Sequence, residues 1–485
     1  MKDYRSLSIE QLHELLITKQ VTPLELAKEA IALAKKDTNN AFEYIMEKEA
    51  LENASKLGQP EVDNVLWGVP FIIKDNMSTK NVPTTGSSNI LKGYIPVYDA
   101  TIVSKLYNRH AIAIGKATLD ELAMGGTGTS GHLGTTFNPY DRKHERLIGG
   151  SSCGSAAVVA DGIVPFSLGS DTGDSTRKPA SYAGLVGFKP TWSRISRYGL
   201  FPFAPSLDTI GIFTRSVKDS AYVLEAIAGR DENDSTSSSL PVGDYHSNID
   251  KSIKGYKVAV IKQIFDAVKD KSVKDSFNKT LVELKNAGAI VDFVNVDSEI
   301  LESLFPTYFV ISCAEATSNN ANLDGIKFGP YYDGKTYEEV MSNARTKGFS
   351  ELIKRRFIFG SFALMRENQN DLFIRAQRNR RRIVEAVNNI LKEYDFIYLP
   401  AAPSIAPRND EKSDRLSDEY LIADNHLVLG NFTGLPSLTL PIGFEDGLPF
   451  GANVMGRAFE EAKVLQLSYE IEKHTGLKGV VAKGE

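Results

Sequence analysis

Along residues 8–34 the apolar positions recur at helical spacing. Leu12, Leu15 and Leu16 share one face behind Ser8 and Gln11, whose separation lets each side chain cap the other's backbone. Thr22, Pro23 and Glu25 open a second helix, with proline in the first turn, where a missing N–H costs nothing. Leu26, Ala30, Ile31 and Leu33 supply its buried side. From about Gly68 to Thr214 the pattern changes to short apolar runs among Gly, Ser and Thr. Gly68–Lys74 reads as a strand ending in a lysine. Ala111–Gly115 reads as another, followed by a helix capped by Thr118 and Glu121. Ser155–Ala160 reads as a helix of small residues, and Ile163–Leu168 as a strand entering a glycine loop. The polar stretch 229–255 predicts a surface loop or the edge of an insertion. Beyond it, Lys257–Ile261, a helix near 272–287 and Ala289–Phe293 have the pattern of a β-α-β unit. A long helix near 371–392, strands at Asp395–Leu399 and Ser437–Pro441, and a last helix near 460–474 follow. The alternation predicts an α/β fold, one large domain whose mixed sheet is flanked by helices. Helical residues 1–60 and the stretch 256–485 would pack around a core at about 65–215.

Charge and composition narrow the function. The net charge of −5 gives no global attraction to nucleic acid or to an anionic membrane, so any RNA contact is local or carried by a partner. No apolar run reaches the roughly 18 residues of a membrane span. Residues 1–11 lack the apolar stretch of a signal peptide. Two cysteines, Cys153 and Cys313, make no disulfide framework, which fits a reducing cytoplasm. The seven histidines show no zinc-binding spacing, so no metal site is expected.

Candidate chemistry gathers in one stretch. Gly149-Gly-Ser-Ser-Cys-Gly-Ser155 and Gly169-Ser-Asp-Thr-Gly-Asp-Ser175-Thr-Arg-Lys-Pro179 are two serine-bearing glycine loops around one helix–strand unit. Glycine-rich backbone can aim several N–H groups at one point, as an oxyanion hole requires. Serine needs a base, and neither loop holds a histidine. Lys74, at the end of an apolar strand, is the nearest suitable group, because burial lowers a lysine pKa and frees the amine to take a proton. A Gly/Ser loop pair equally suits a turn or an anion site, and a strand-end lysine a solvated charge.

These residues closely resemble the amidase signature family, whose core reads roughly G-G-S-S-G-G-S, then G-S-D-T-G-G-S-I-R-x-P. The separation of the two halves is the same, and Ile73-Lys74-Asp75-Asn76 matches the family's lysine motif. Ser196–Leu200, Ser206–Gly211, Asp231–Thr236, Asp324–Gly329, Lys354–Arg356 and Gly434–Pro436 resemble one branch, the glutaminase subunits of tRNA-dependent amidotransferases. That likeness runs over nearly the whole chain.

The resemblance implies a Lys–Ser–Ser triad. Ser175 would attack the side-chain amide of glutamine, Ser151 (in a cis peptide) would relay the proton, and Lys74 would be the base. Ser152 would support the network, and the backbone N–H groups of Thr172, Gly173, Asp174 and Ser175 would form the oxyanion hole. Losing one such donor costs about 3–4 kcal/mol of transition-state stabilisation. Arg356 would hold the substrate carboxylate, with Arg355 as competitor, and Asp424 its α-amino group. The resemblance also implies a heterotrimer with subunits B and C in the cytoplasm. Glu-tRNA(Gln), ATP and Mg would be handled by the partner, with no metal or cofactor on this chain.

Several positions depart from the pattern. Asp174 replaces a glycine, putting a carboxylate beside a developing oxyanion, with a backbone penalty of about 1 kcal/mol if φ were positive there. Lys178 replaces a usual glutamine, and a compensating Asp174–Lys178 contact would offset the charge. Gly126–His132 and Met365–Asn370 also differ from the branch. Other features read as bland. Cys153 is a small buried residue with no activating histidine nearby. Gly126–Gly131 fits G-x-G-x-x-G but follows a helical segment, not the strand that a dinucleotide site needs. Arg375, Arg378, Arg380, Arg381 and Arg382 form a solvated face rather than an RNA platform. Two rivals remain: a stand-alone amidase for another small amide, separable by partner dependence, and a non-catalytic scaffold disabled by Asp174.

Overall fold

The computed structural model describes residues 4–411, 417 and 419–482. The first helices form as the caps predict. Ser8 and Gln11 close a capping box on Ile9–Ile17, and Thr22 and Glu25 close another on Pro23–Ala34. Ile9, Leu12, Leu16, Leu26, Ala30 and Ile31 are buried, whereas Leu15 and Leu33 stay partly exposed at the edges of their stripes.

Eleven strands build one mixed sheet. They are β1 (Phe42–Ile45), β2 (Pro70–Lys74), β3 (Ile112–Ala117), β4 (Phe166–Asp171), β5 (Val186–Lys189) and β6 (Thr209–Thr214). The rest are β7 (Lys257–Ile261), β8 (Ile290–Val294), β9 (Phe396–Pro400), β10 (Ser437–Glu445) and β11 (Leu448–Gly456). The order across the sheet is β1-β3-β2-β4-β6-β5-β10-β11-β9-β7-β8. β2 runs parallel to both β3 and β4, and β7 to both β8 and β9. The other pairings are antiparallel. The predicted β-α-β unit is present as β7, the helix Lys271–Asn286 and β8.

The small-residue helix Cys153–Ala160 is buried along its whole length. A Cβ at Gly154 would come within 2.5 Å of Ala41 O and Thr118 Oγ1, so only glycine lets the helix sit this close. Phe71 and Phe166 stack across β2 and β4 at 5.3 Å.

Three expectations are corrected. No α-helix follows β3. Residues 121–123 make a single 3₁₀ turn in which Leu122 and Ala123 take positive φ, and Thr118 bonds Asn40 O and Thr136 instead of capping. β4 begins and ends later than 163–168, because its ladder with β6 runs from Phe166 to Asp171. Residues 229–255 hold no helix or regular strand, yet they are not all surface: Tyr245, Ile249 and Ile253 are buried, and Asp231 accepts the hydroxyls of Thr101 and Ser196. No helix among the described residues is long and apolar enough to cross a membrane.

Candidate active site

Because β2 and β4 are parallel neighbours, their carboxyl ends open at the same edge of the sheet, where loops meet ligands in α/β folds. Lys74 ends β2, and Ser170 and Asp171 end β4. Lys74 Nζ donates to Ser151 Oγ at 2.8 Å, Ser152 Oγ at 2.8 Å and Ser170 Oγ at 2.9 Å. All four side chains are buried. The Gly150–Ser151 peptide is cis. Ser152 Oγ donates to Ser170 O at 3.0 Å, and Asn76 Nδ2 donates to Ser170 Oγ at 3.0 Å, so the cluster is held from several sides.

Burial lowers the Lys74 pKa to about 7, against the raising influence of Cys153, Asp120, Asp171 and Asp208. The neutral amine has two N–H groups and one lone pair, so one of the three hydroxyls can then turn and donate to it. That is what a base with a hydroxyl relay needs. Ser170 escaped the sequence reading although it lies inside the quoted motif. A third hydroxyl there leaves no local signal beyond being one more serine.

Ser175 is buried in the loop after β4, and its carbonyl accepts the Ser152 N–H at 3.2 Å. No hydrogen bond joins Ser151 Oγ to Ser175 Oγ among the described residues; such contacts commonly tighten only around substrate. Thr172, Gly173, Asp174 and Ser175 give their backbone N–H groups to no acceptor among the described residues, whereas the next amide, Thr176, bonds Asp171 Oδ2. Four consecutive free donors beside a serine make a natural anion cradle.

Buried charges hold this loop in shape. Arg177 bonds both oxygens of Asp171, at 2.9 and 3.1 Å, and also reaches Gly173 O, Leu427 O and Asn431 Oδ1. Burial alone would raise the Asp171 carboxyl, but Arg177 and Asn431 hold it below the usual carboxylate range. Asp208 accepts the Thr172 hydroxyl at 2.6 Å and the N–H groups of Phe203 and Ala204.

One further helix faces the loop, and a second packs against that helix. Tyr308, on the helix Leu304–Asn319, lies over Gly173: a Cβ there would meet the ring at 3.0 Å. Burial pushes its hydroxyl pKa up. Nothing near it in the sequence marked Tyr308. Arg356, on the helix Glu351–Leu364, sets its guanidinium 5.8 Å from the Phe203 ring and 5.5 Å from the Phe309 ring. Its Nε and Nη1 are buried without an acceptor. Arg355 is exposed, so Arg356 is the inward member of the pair.

Asp424 is already engaged. Lys178 Nζ lies 2.9 Å from Asp424 Oδ1 and 3.0 Å from Asp174 Oδ2, and also bonds Asp424 O. The compensating Asp174–Lys178 contact therefore exists. Asp174 is not among the residues with positive φ, so replacing glycine there carries no left-handed strain.

The bland readings also have structural content. The amides of Thr127, Gly128, Thr129 and Ser130 all point at the Asp120 carboxylate, so the G-x-G-x-x-G loop spends its anion-binding capacity on its own chain. Next to it, His132 bonds Glu43 and Asn89. Cys153 is buried, and its thiol is pushed up to about 12 by burial. In the basic stretch, Arg380 bonds Phe432 O and Ser206, while Arg375, Arg378, Arg381 and Arg382 are exposed. Glu225, Asp244 and His246 have the spacing of a cation site, but Glu225 is spent on the Tyr245 and His246 N–H groups. Met365 closes the helix before the departing segment 365–370 and stays exposed.

The amidase family profile matches residues 24–465. The A subunit of glutamyl-tRNA(Gln) amidotransferase from Staphylococcus epidermidis is 39% identical over 479 residues, covering 97% of each chain. The crystal structure of the corresponding protein from Thermotoga maritima superposes with a TM-score of 0.79 at 35% identity, covering 98% of this chain and 96% of that one. The peptide amidase of Stenotrophomonas maltophilia superposes with a TM-score of 0.80 at 25% identity, covering 98% of both chains.

Proposed function

The chain belongs to the amidase signature family, and we propose on that footing that it hydrolyses glutamine as the A subunit of a glutamyl-tRNA(Gln) amidotransferase. One observation carries the chemistry: a buried Lys74 amine ringed by serine hydroxyls, next to a serine loop with four free N–H groups.

Neutral Lys74 takes a proton from Ser151, which takes one from Ser175 as Ser175 Oγ attacks the amide carbon. The N–H groups of Thr172, Gly173, Asp174 and Ser175 receive the oxyanion, and Ser152 keeps Lys74 oriented. The proton then returns through Ser151 to the amide nitrogen, and the C–N bond breaks to release ammonia. Water attacks the glutamyl-Ser175 ester by the same relay and yields glutamate.

The Arg356 guanidinium, whose Nε and Nη1 lack an acceptor, suits the substrate carboxylate. Asp424, with its side chain 29% exposed, suits the α-ammonium, although Lys178 already shares that charge. The relatives' names, which make each of them one subunit of an amidotransferase, support a multi-subunit assembly. Subunits B and C would complete a cytoplasmic heterotrimer, the partner using ATP and Mg to amidate Glu-tRNA(Gln) with the ammonia. No metal or cofactor would be bound by this chain.

The test is ammonia release from glutamine by the chain co-expressed with subunits B and C, wild type against Ser175→Ala. Release by the wild type alone assigns the nucleophile. Equal release, or none from either protein with the assembly intact, rejects the reading. Turnover of a small amide without partners would favour a stand-alone amidase.

A further inference from the structure

We propose that Lys178 is a positioning residue for this reaction, whose ammonium cancels the charge of Asp174 and so lets an oxyanion hole work around an acidic residue. The inference rests on the Ser175 mechanism above. Asp174 contributes one of the four free N–H groups, yet the same residue carries a carboxylate. An uncompensated negative charge there opposes the charge that develops on the substrate oxygen, most strongly where water is excluded.

The local arrangement fits that role. Lys178 stands one helical turn beyond Asp174, in the short helix Arg177–Tyr182 that follows Ser175. Its side chain is 8% exposed and lies beneath two carboxylates that are 23% and 29% exposed. Its ammonium hydrogen-bonds Asp424 Oδ1 and Asp424 O and forms an ion pair with Asp174 Oδ2 at 3.0 Å, so it is held between the two carboxylates. The two carboxylates outweigh burial and keep Lys178 charged.

The charge count closes. Asp174 and Lys178 together add nothing to the net charge of the site. Glycine and glutamine at the two positions would leave the same total. The departures at 174 and 178 therefore read as one coupled change.

The competing explanation is purely structural: Lys178 ties Asp424 and its segment to the nucleophile loop, and its loss merely loosens the wall. The two explanations differ in what removing Asp174 does. Two readouts are needed on the assembled complex, with melting temperature as a folding check. One is ammonia release from glutamine. The other is the rate at which a fluorophosphonate labels Ser175, where the Oγ–P bond forms, fluoride leaves and the serine proton passes through Ser151 to Lys74.

Lys178→Gln should lower both rates by about 10²-fold, chiefly through kcat, as expected for damage to an oxyanion hole. Asp174→Gly/Lys178→Gln should return both to within about fivefold of wild type, because it removes both charges together and keeps the backbone N–H at position 174. If the double variant is as slow as Lys178→Gln, or if neither variant folds, Lys178 is structural and the proposal falls. If labelling follows the expected pattern but glutamine is never hydrolysed, the proposal stands and the choice of glutamine as substrate falls.

Discussion

Two lysines are fully buried on adjacent strands, and only one is equipped as a base. Lys74 ends β2, while Lys116 on β3 pairs with Ile73, so the two side chains leave opposite faces of the sheet. Lys74 meets three hydroxyls. Lys116 meets Met77 O at 2.7 Å, Thr84 Oγ1 at 2.8 Å, Thr79 Oγ1 at 3.1 Å and the Asp75 carboxylate at 3.5 Å. Burial lowers both, Lys74 to about 7 and Lys116 to about 8, but only Lys116 has a carboxylate within ion-pair distance. A carbonyl and a carboxylate can only accept, so they favour the charged ammonium. Hydroxyls can turn and donate, so they tolerate the neutral amine. Burial prepares a lysine for catalysis, and the chemistry of its acceptors decides whether that preparation is used.

Exchanging the fates of the two lysines is the severest challenge to this contrast. Lys74→Met should reduce glutamine hydrolysis by about 10²–10⁴-fold, the usual share of an acid–base group, while the complex still assembles. Lys116→Met should instead destabilise the fold by about 3–5 kcal/mol in denaturant titration, because it strands buried Asp75 without its cation. Asp75→Asn in the same chain should recover part of that loss. If Lys116→Met abolished catalysis in well-folded protein, the contrast would collapse. The pH profile sharpens it further. In the proposed mechanism Lys74 works unprotonated, so kcat/KM should fall about tenfold per unit below about 7 and level off above it. The smallest effect is expected at Cys153. Cys153→Gly should leave ammonia release within about twofold, and iodoacetamide should not label the native thiol, since the thiolate is the reactive form.

Legibility in the sequence followed contiguity. Lys74, Ser151, Ser152 and Ser175 lie in short motifs whose residues meet on neighbouring strands, and the capped helices carry their own start signals. The far end of the site is different. Arg356 looks like its neighbour Arg355 until helix packing turns one inward, and Tyr308 reaches Gly173 across a long sequence separation. Residues 118–124 looked helical because local spacing cannot register that Asp120 gathers four amides from the following loop. β11 went unread because all nine of its residues are buried, so no polar alternation marks it.

The parallel pairing of β2 with β4 has a mechanical consequence. The proposed proton acceptor and the proposed nucleophile loop are mounted on two rails whose separation, about 4.8 Å, is the repeat of backbone hydrogen bonding itself. The gauge of the machine is thus set by main chain, which substitution hardly touches. Side chains around it are free to drift, and new chemistry at the mouth of the site need not disturb the stroke of the proton.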